Sequence, residues 1–157
     1  MNLGVLFLVL HVLGAIVAFG PTFAFPLIGS MGGKEPMHAN FATRVSEAIS
    51  DRIVIPLALF QAVTGVGLIL TRGWDVFATR WLLLGIVLYV IAISLSIFYQ
   101  RPTVHRVIAM TSAPPPPGAS GPPPELLATI KKVQRTGMVL ASLLVVIIVL
   151  MVLKPAF

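Results

Sequence analysis

The chain has 157 residues, of which 57% are hydrophobic and only 10% charged, and its mean hydropathy is +1.00. A soluble protein of this size needs a charged surface that these residues cannot supply, so lipid must cover most of it. There is no cysteine, which excludes disulfides, iron–sulfur clusters and zinc–thiolate sites. The net charge of +6 on so apolar a chain belongs to headgroup contact and membrane orientation, not to nucleic acid.

The first apolar stretch, LGVLFLVLHVLGAIVAFGPTFAFPLIGSM from Leu3 to Met31, contains no acid, lysine or arginine and one ionisable side chain, His11. At ~1.5 Å per residue it is long enough to cross a hydrocarbon core of roughly 30 Å. It lacks a basic leader and a small-residue cleavage site, so it reads as a retained transmembrane helix over about 3–28. Gly20-Pro21 predicts a kink, with the Val17 carbonyl left without its helical donor. Gly14, Ala18 and Thr22 form a row of small residues that lets another helix approach closely. Residues 29–33 read as a turn. Residues 36–50 then read as a separate amphipathic helix on the membrane surface, with Met37, Phe41, Val45 and Ala48 on one face.

A second transmembrane helix is expected over about 53–70, with Gln61 near its middle and Thr64-Gly65-Val66-Gly67 after it. A short loop carries Trp74. A third helix, about 81–99, starts at Trp81 and holds Tyr89, and the two tryptophans mark one membrane interface. Residues 111–124, with their PPPP and PPP runs, read as an extended polyproline II linker, a spacer or a docking segment. A fourth helix over about 125–153 would be roughly 43 Å long. Its first part, ELLATIKKVQR, is basic and amphipathic and should stand out of the lipid. The expected fold is one all-α domain over 1–157: a polytopic four-helix transmembrane bundle plus an interfacial helix.

Lys34, Arg44, Arg52, Arg101, Arg106, Lys131, Lys132 and Arg135 fall at one end of this bundle, and Arg72, Arg80 and Lys154 at the other. The positive-inside rule turns the first set to the cytoplasm and both termini outward.

His11 is the residue that most needs explaining. It lies ~12 Å below the membrane boundary, where an ionisable side chain is costly unless paired or coordinating. A neutral imidazole is a good haem or metal ligand. Gln61 and Tyr89, near the centres of their helices, can meet it and orient it through its second nitrogen. The three can equally satisfy one another as packing residues. His105 lies beyond the far end of the third helix, on the order of 20 Å away in depth, and cannot share one haem iron with His11. Met37-His38 offers a thioether and an imidazole suited to Cu(I), although a methionine on the apolar face of a loop helix explains Met37 as well. Glu47 and Asp51, flanked by Arg44 and Arg52, read as a salt-bridged face. Lys131, Lys132 and Arg135 read as headgroup contacts. No acid pair inside the membrane, Ser/His/Asp pattern, HExxH or phosphate loop is present, so no catalytic constellation emerges.

The segment LHVLGAIVAFGPTFAFP, Thr64 to Leu68 (Thr-Gly-x-Gly-Leu) and Arg80-Trp81-Leu82 resemble the bacterial four-helix membrane proteins grouped around the copper-resistance D and HemJ-type families. Their predicted integral membrane relatives are the nearest in pattern. The resemblance implies a four-helix bundle with His11 at the haem-associated position. The HemJ-type lysine and histidines of the third helix have no counterpart in Trp81 to Tyr99, so protoporphyrinogen oxidation does not carry over. Two functions follow as expectations. One is a small membrane protein holding haem b through His11, with Gln61 or Tyr89 behind it, in electron transfer or haem handling. The other is a structural or accessory subunit of a larger membrane complex, without a cofactor and docked on other membrane-protein subunits. A transporter is the weakest class, because no buried charge pair marks an ion path.

Overall fold

The computed structural model describes residues 2–112 and 121–156, and every regular element in them is helical. Four helices are long and apolar enough to cross a membrane: α1 (Leu3–Lys34), α2 (Ala39–Arg72), α3 (Arg80–Met110) and α4 (Pro124–Leu153). Most of the proline-rich linker expected over 111–124 lies outside the described residues.

Each helix begins or bends for a local reason. The Asn2 side chain accepts from the Gly4 N–H at 2.9 Å, which satisfies one of the free donors at the start of α1. Pro21 does not end α1. The backbone tightens into a 3₁₀ turn over Gly20–Ala24 and resumes as α-helix at Phe25. Residues 29–33, expected as a turn, are helical. Gly32 lies against the start of α2, where an added Cβ would come within 2.9 Å of the Ala42 methyl.

Residues 36–50 do not form a separate interfacial helix. A 3₁₀ turn, Pro36–His38, leads into Ala39–Ile49, which continues through a π turn at Ser50–Val54 into Ile55–Arg72. The cause is Pro56, which lacks an N–H and crowds the carbonyl one turn back. The widened turn, with the Ile55 N–H donating to the Ser50 carbonyl, carries the helix past the proline. The same device recurs in α3: a π turn at Ser96–Gln100 precedes Pro102, and the helix runs on to Met110. Both helices carry a serine six residues before the proline, and both π turns lie at the same end of the bundle.

The opposite end is tied by aromatic contacts. Gly73 caps α2 at φ 65°, a left-handed conformation that favours glycine. Trp74 and Trp81 meet edge to face at 5.5 Å, and Lys154 Nζ lies 5.4 and 5.7 Å from their ring centroids. The α2–α3 loop and the end of α4 are thereby gathered at one boundary.

The helices associate as two pairs, α1 with α2 and α3 with α4. The pairs join where Ala39–Ile49 packs on Arg101–Met110. There Asn40 Nδ2 donates to the Ile108 carbonyl at 3.0 Å and to Thr111 Oγ1 at 2.9 Å. Protein covers 33% of the apolar stretch of α2, against 11–17% for the other three, so α2 is the central helix. Lipid is as apolar as leucine, and helices in it are held by close contact and interhelical hydrogen bonds, not by exclusion of water. Small residues make that contact. Gly14 lies under Gln61 and Phe60, Gly67 under the Phe7 ring, and Gly85 under the terminal methyl of Met151.

These glycines differ in what a methyl group would meet. Alanine gains about 1 kcal/mol over glycine in helix propensity. At Gly85 the obstacle is the mobile end of a methionine, so Gly85→Ala is expected to be neutral or stabilising. At Gly67 the obstacle is an aromatic ring, and overpacking of about 1–3 kcal/mol outweighs the gain. Reversible unfolding in mixed micelles should therefore place Gly67→Ala below the parent chain and Gly85→Ala at or above it.

Candidate functional site

Three polar residues inside the membrane, His11, Gln61 and Thr64, meet between α1 and α2. His11 Nδ1 lies 2.9 Å from Thr64 Oγ1. Thr64 is 1% exposed, and its hydroxyl also lies 3.2 and 3.1 Å from the carbonyls of Phe60 and Gln61, one turn back on its own helix. Gln61 Nε2 donates to the His11 carbonyl at 2.9 Å. That carbonyl has a second lone pair beyond its helical bond, so the α1 ladder is not broken. Gln61, 7% exposed, keeps its Oε1 buried without a hydrogen-bond donor. The oxygen faces Gly14, where an added Cβ would come within 2.8 Å of it.

Counting donors assigns the imidazole tautomer. If Nδ1 carries the proton, it donates to Thr64 Oγ1, and the Thr64 hydroxyl donates to a backbone carbonyl. Both donors are then satisfied, and Nε2 keeps a free lone pair. If Nε2 carries the proton, Thr64 donates to Nδ1 and the Nε2–H has no acceptor among the described residues. A donor without an acceptor in an apolar medium costs several kcal/mol, which favours the first arrangement. The ring edge Cε1–Nδ1 faces Gly65: an added Cβ there would meet Cε1 at 3.4 Å and Nδ1 at 3.9 Å, while Nε2 lies beyond 4 Å. The nitrogen with the free lone pair is thus the one turned from the α2 backbone.

Thr64, which the sequence offered only as part of a small-residue run, is the side chain on the imidazole. The Gln61 side chain holds the backbone of His11, while the Gln61 backbone carbonyl lies against the ring. Tyr89 is not in this group. Its hydroxyl donates to the Ala58 carbonyl at 2.7 Å and ties α3 to α2. The signal for Thr64 was its spacing: three residues after Gln61, it shares the face of α2 that turns toward α1.

A second cluster lies at the end where the two helix pairs join. Glu47, Asp51 and His105 each present a ligand atom within 4.8 Å of the others, close enough to hold one metal ion. Glu47 and Asp51 are half-buried and His105 is exposed. His105 Nε2 lies 3.2 Å from Glu47 Oε1. Arg101 grips both Asp51 oxygens, at 2.8 to 3.1 Å. A cavity of about 210 Å³ opens between Asp51, Ile55, Ile97 and Arg101, beside the two π turns. Asp51 and Glu47 therefore pair across to α3, and not with Arg44 and Arg52 on their own helix. His38 pairs with Glu35 at 3.0 Å, and Met37 beside it is 93% exposed.

The family comparison agrees with the membrane architecture. Residues 5–155 match the family model described as "Predicted integral membrane protein (DUF2269)". No curated protein and no solved structure matches the chain. With nearly its whole length inside that match, the chain belongs to the DUF2269 family of integral membrane proteins.

Proposed function

We propose that this is a small haem-associated protein of the bacterial inner membrane, acting in electron transfer or haem handling, with His11 Nε2 as axial ligand. The observation that carries the reading is the Thr64 hydrogen bond, which leaves the Nε2 lone pair free at membrane depth. Metal-bound histidines usually donate their other ring N–H to an acceptor, which fixes the tautomer and strengthens the ligand. Thr64 fills that place. The resemblance of the first helix to the copper-resistance D and HemJ-type proteins adds to it. Haem would supply the one-electron chemistry. The chain's own residues hold and orient the imidazole: Thr64 through Nδ1, Gln61 through the His11 backbone, and Gly65 by leaving room beside the ring.

The donor set fits one axial position. His38 and His105 sit at the far end with carboxylate partners, so the sixth position falls to a weak ligand, a second copy or a partner subunit. The positive end of the bundle faces the cytoplasm in this reading, and both termini face outward. Tyr89 donates to the Ala58 carbonyl and so braces α2, one turn before Gln61.

One observation favours a second reading, a divalent metal held by Glu47, Asp51 and His105. There Arg101 competes with the ion for Asp51. On this reading Arg101→Gln strengthens Zn²⁺ or Mn²⁺ binding and His105→Ala weakens it, read by calorimetric titration of the purified protein. Equal titrations for both variants and the parent would remove the metal from the account.

The haem reading is tested by an absorption spectrum of the protein purified after haem-replete expression, before and after dithionite. A Soret band that shifts on reduction and is lost in His11→Ala is expected. A colourless parent chain leaves His11 as a hydrogen-bonded packing residue and favours the accessory-subunit function. Thr64 gives a finer test. Thr64→Ser keeps the acceptor and should preserve the midpoint potential. Thr64→Val removes it, weakens the imidazole as a donor to iron and should raise the potential, measured by redox titration.

A further inference from the structure

One surface depression is lined by α4 alone. It forms a shallow groove from Arg135 to Val146, floored by Met138, Val139, Ser142 and Leu143. Met138, Val139 and Val146 are about half exposed, at 62, 49 and 46%. From Arg135 to Val146 the helix rises ~17 Å, which matches one leaflet of a hydrocarbon core of roughly 30 Å. The groove therefore begins at a cation and runs to mid-membrane.

Two more cations share its head. At 3.6 residues per turn, Lys131 and Lys132 lie about 40° and 60° to either side of Arg135, on the same face as the groove. All three are exposed, and none forms a salt bridge among the described residues. Residues 113–120, the part of the linker outside the description, contain no acid.

We infer that this face binds one anionic phospholipid, its phosphate on Lys131, Lys132 and Arg135 and an acyl chain along the groove to Val146. The ligand must be anionic at the headgroup level and apolar for one leaflet below it, and such a lipid is both. Charge excludes a second copy on the same face. A two-fold axis through the groove would bring the three cations of each chain together with no acid between them. The inference does not depend on the haem reading, since α4 packs on α3 and His11 lies between α1 and α2.

The test is native mass spectrometry of the full chain in a neutral detergent, with phosphatidylglycerol or phosphatidylcholine added. The expected result is one retained phosphatidylglycerol per chain and little phosphatidylcholine. Each Lys or Arg near an anionic headgroup is worth about fivefold in affinity, so the Lys131→Gln, Lys132→Gln, Arg135→Gln triple variant should lose roughly a hundredfold. Each single change should lose about fivefold, which keeps the test sound if the triple variant folds poorly. Val139→Trp, which fills the groove and leaves the charges, should also weaken retention. Arg72→Gln, at the other end of the bundle, should not. Equal retention of the two lipids, retention unaffected by the triple variant, or equal competition by glycerol 3-phosphate lacking acyl chains would overturn the inference. So would a dimer that Val139→Trp dissociates.

Discussion

In a medium without water a polar side chain has only its neighbours, and the pairing of α1 with α2 depends on three that satisfy one another. Gln61 holds the His11 carbonyl, Thr64 takes the His11 Nδ1 proton, and Thr64 passes its own proton to its helix. The contact requires the two backbones to come close, which Gly14 and Gly65 allow. Replace the close approach with a larger side chain and the hydrogen bonds lengthen. Remove the hydrogen bonds and an imidazole is left unpaired in lipid. Each condition supports the other, which accounts for α2 being the most covered helix in the molecule. The set leaves two acceptors over, the buried Gln61 Oε1 and the His11 Nε2 lone pair, and the functional reading starts from the second.

The two ends of the bundle are built on different physics. At one boundary two tryptophans and Lys154 gather the loop and the end of α4 through ring edges and a cation. At the other, ion pairs and the Asn40 hydrogen bonds join one helix pair to the next. These ion pairs lie at the surface, where water screens them, so they set register more than stability. Both π turns sit at this second end, one before each proline. The same solution to the same local problem puts Asp51 and Arg101 just where the helices meet.

The four spans were legible because stretches of about eighteen residues with so few polar side chains have few other readings. What escaped was continuity. The glycines at 29–33 and the Asp51-Arg52 charge pair look like punctuation, yet α1 runs to Lys34 and a π turn carries α2 through Ser50–Val54 without a separate surface helix; the break falls at Glu35–His38. Propensity reports the cost of a proline in a regular α-helix and is blind to the irregular turn that avoids it. The site was legible in part. His11 stood out by its cost in lipid, and Gln61 by its depth. Thr64 was hidden because threonine in a transmembrane helix ordinarily bonds its own backbone, and here it does so while also accepting from another helix. Tyr89 has the right depth but faces α2 at Ala58, since depth fixes height along the axis and says nothing of direction around it.

The central claim is the protonation of one ring. The most direct measurement is ¹⁵N solid-state NMR of histidine-labelled protein in lipid bilayers without added haem, with His11 assigned by its loss in His11→Ala. The account predicts a protonated Nδ1, an unprotonated Nε2, and loss of this preference in Thr64→Val. A proton found on Nε2, or a tautomer indifferent to Thr64, would contradict it and remove the free lone pair on which the function rests.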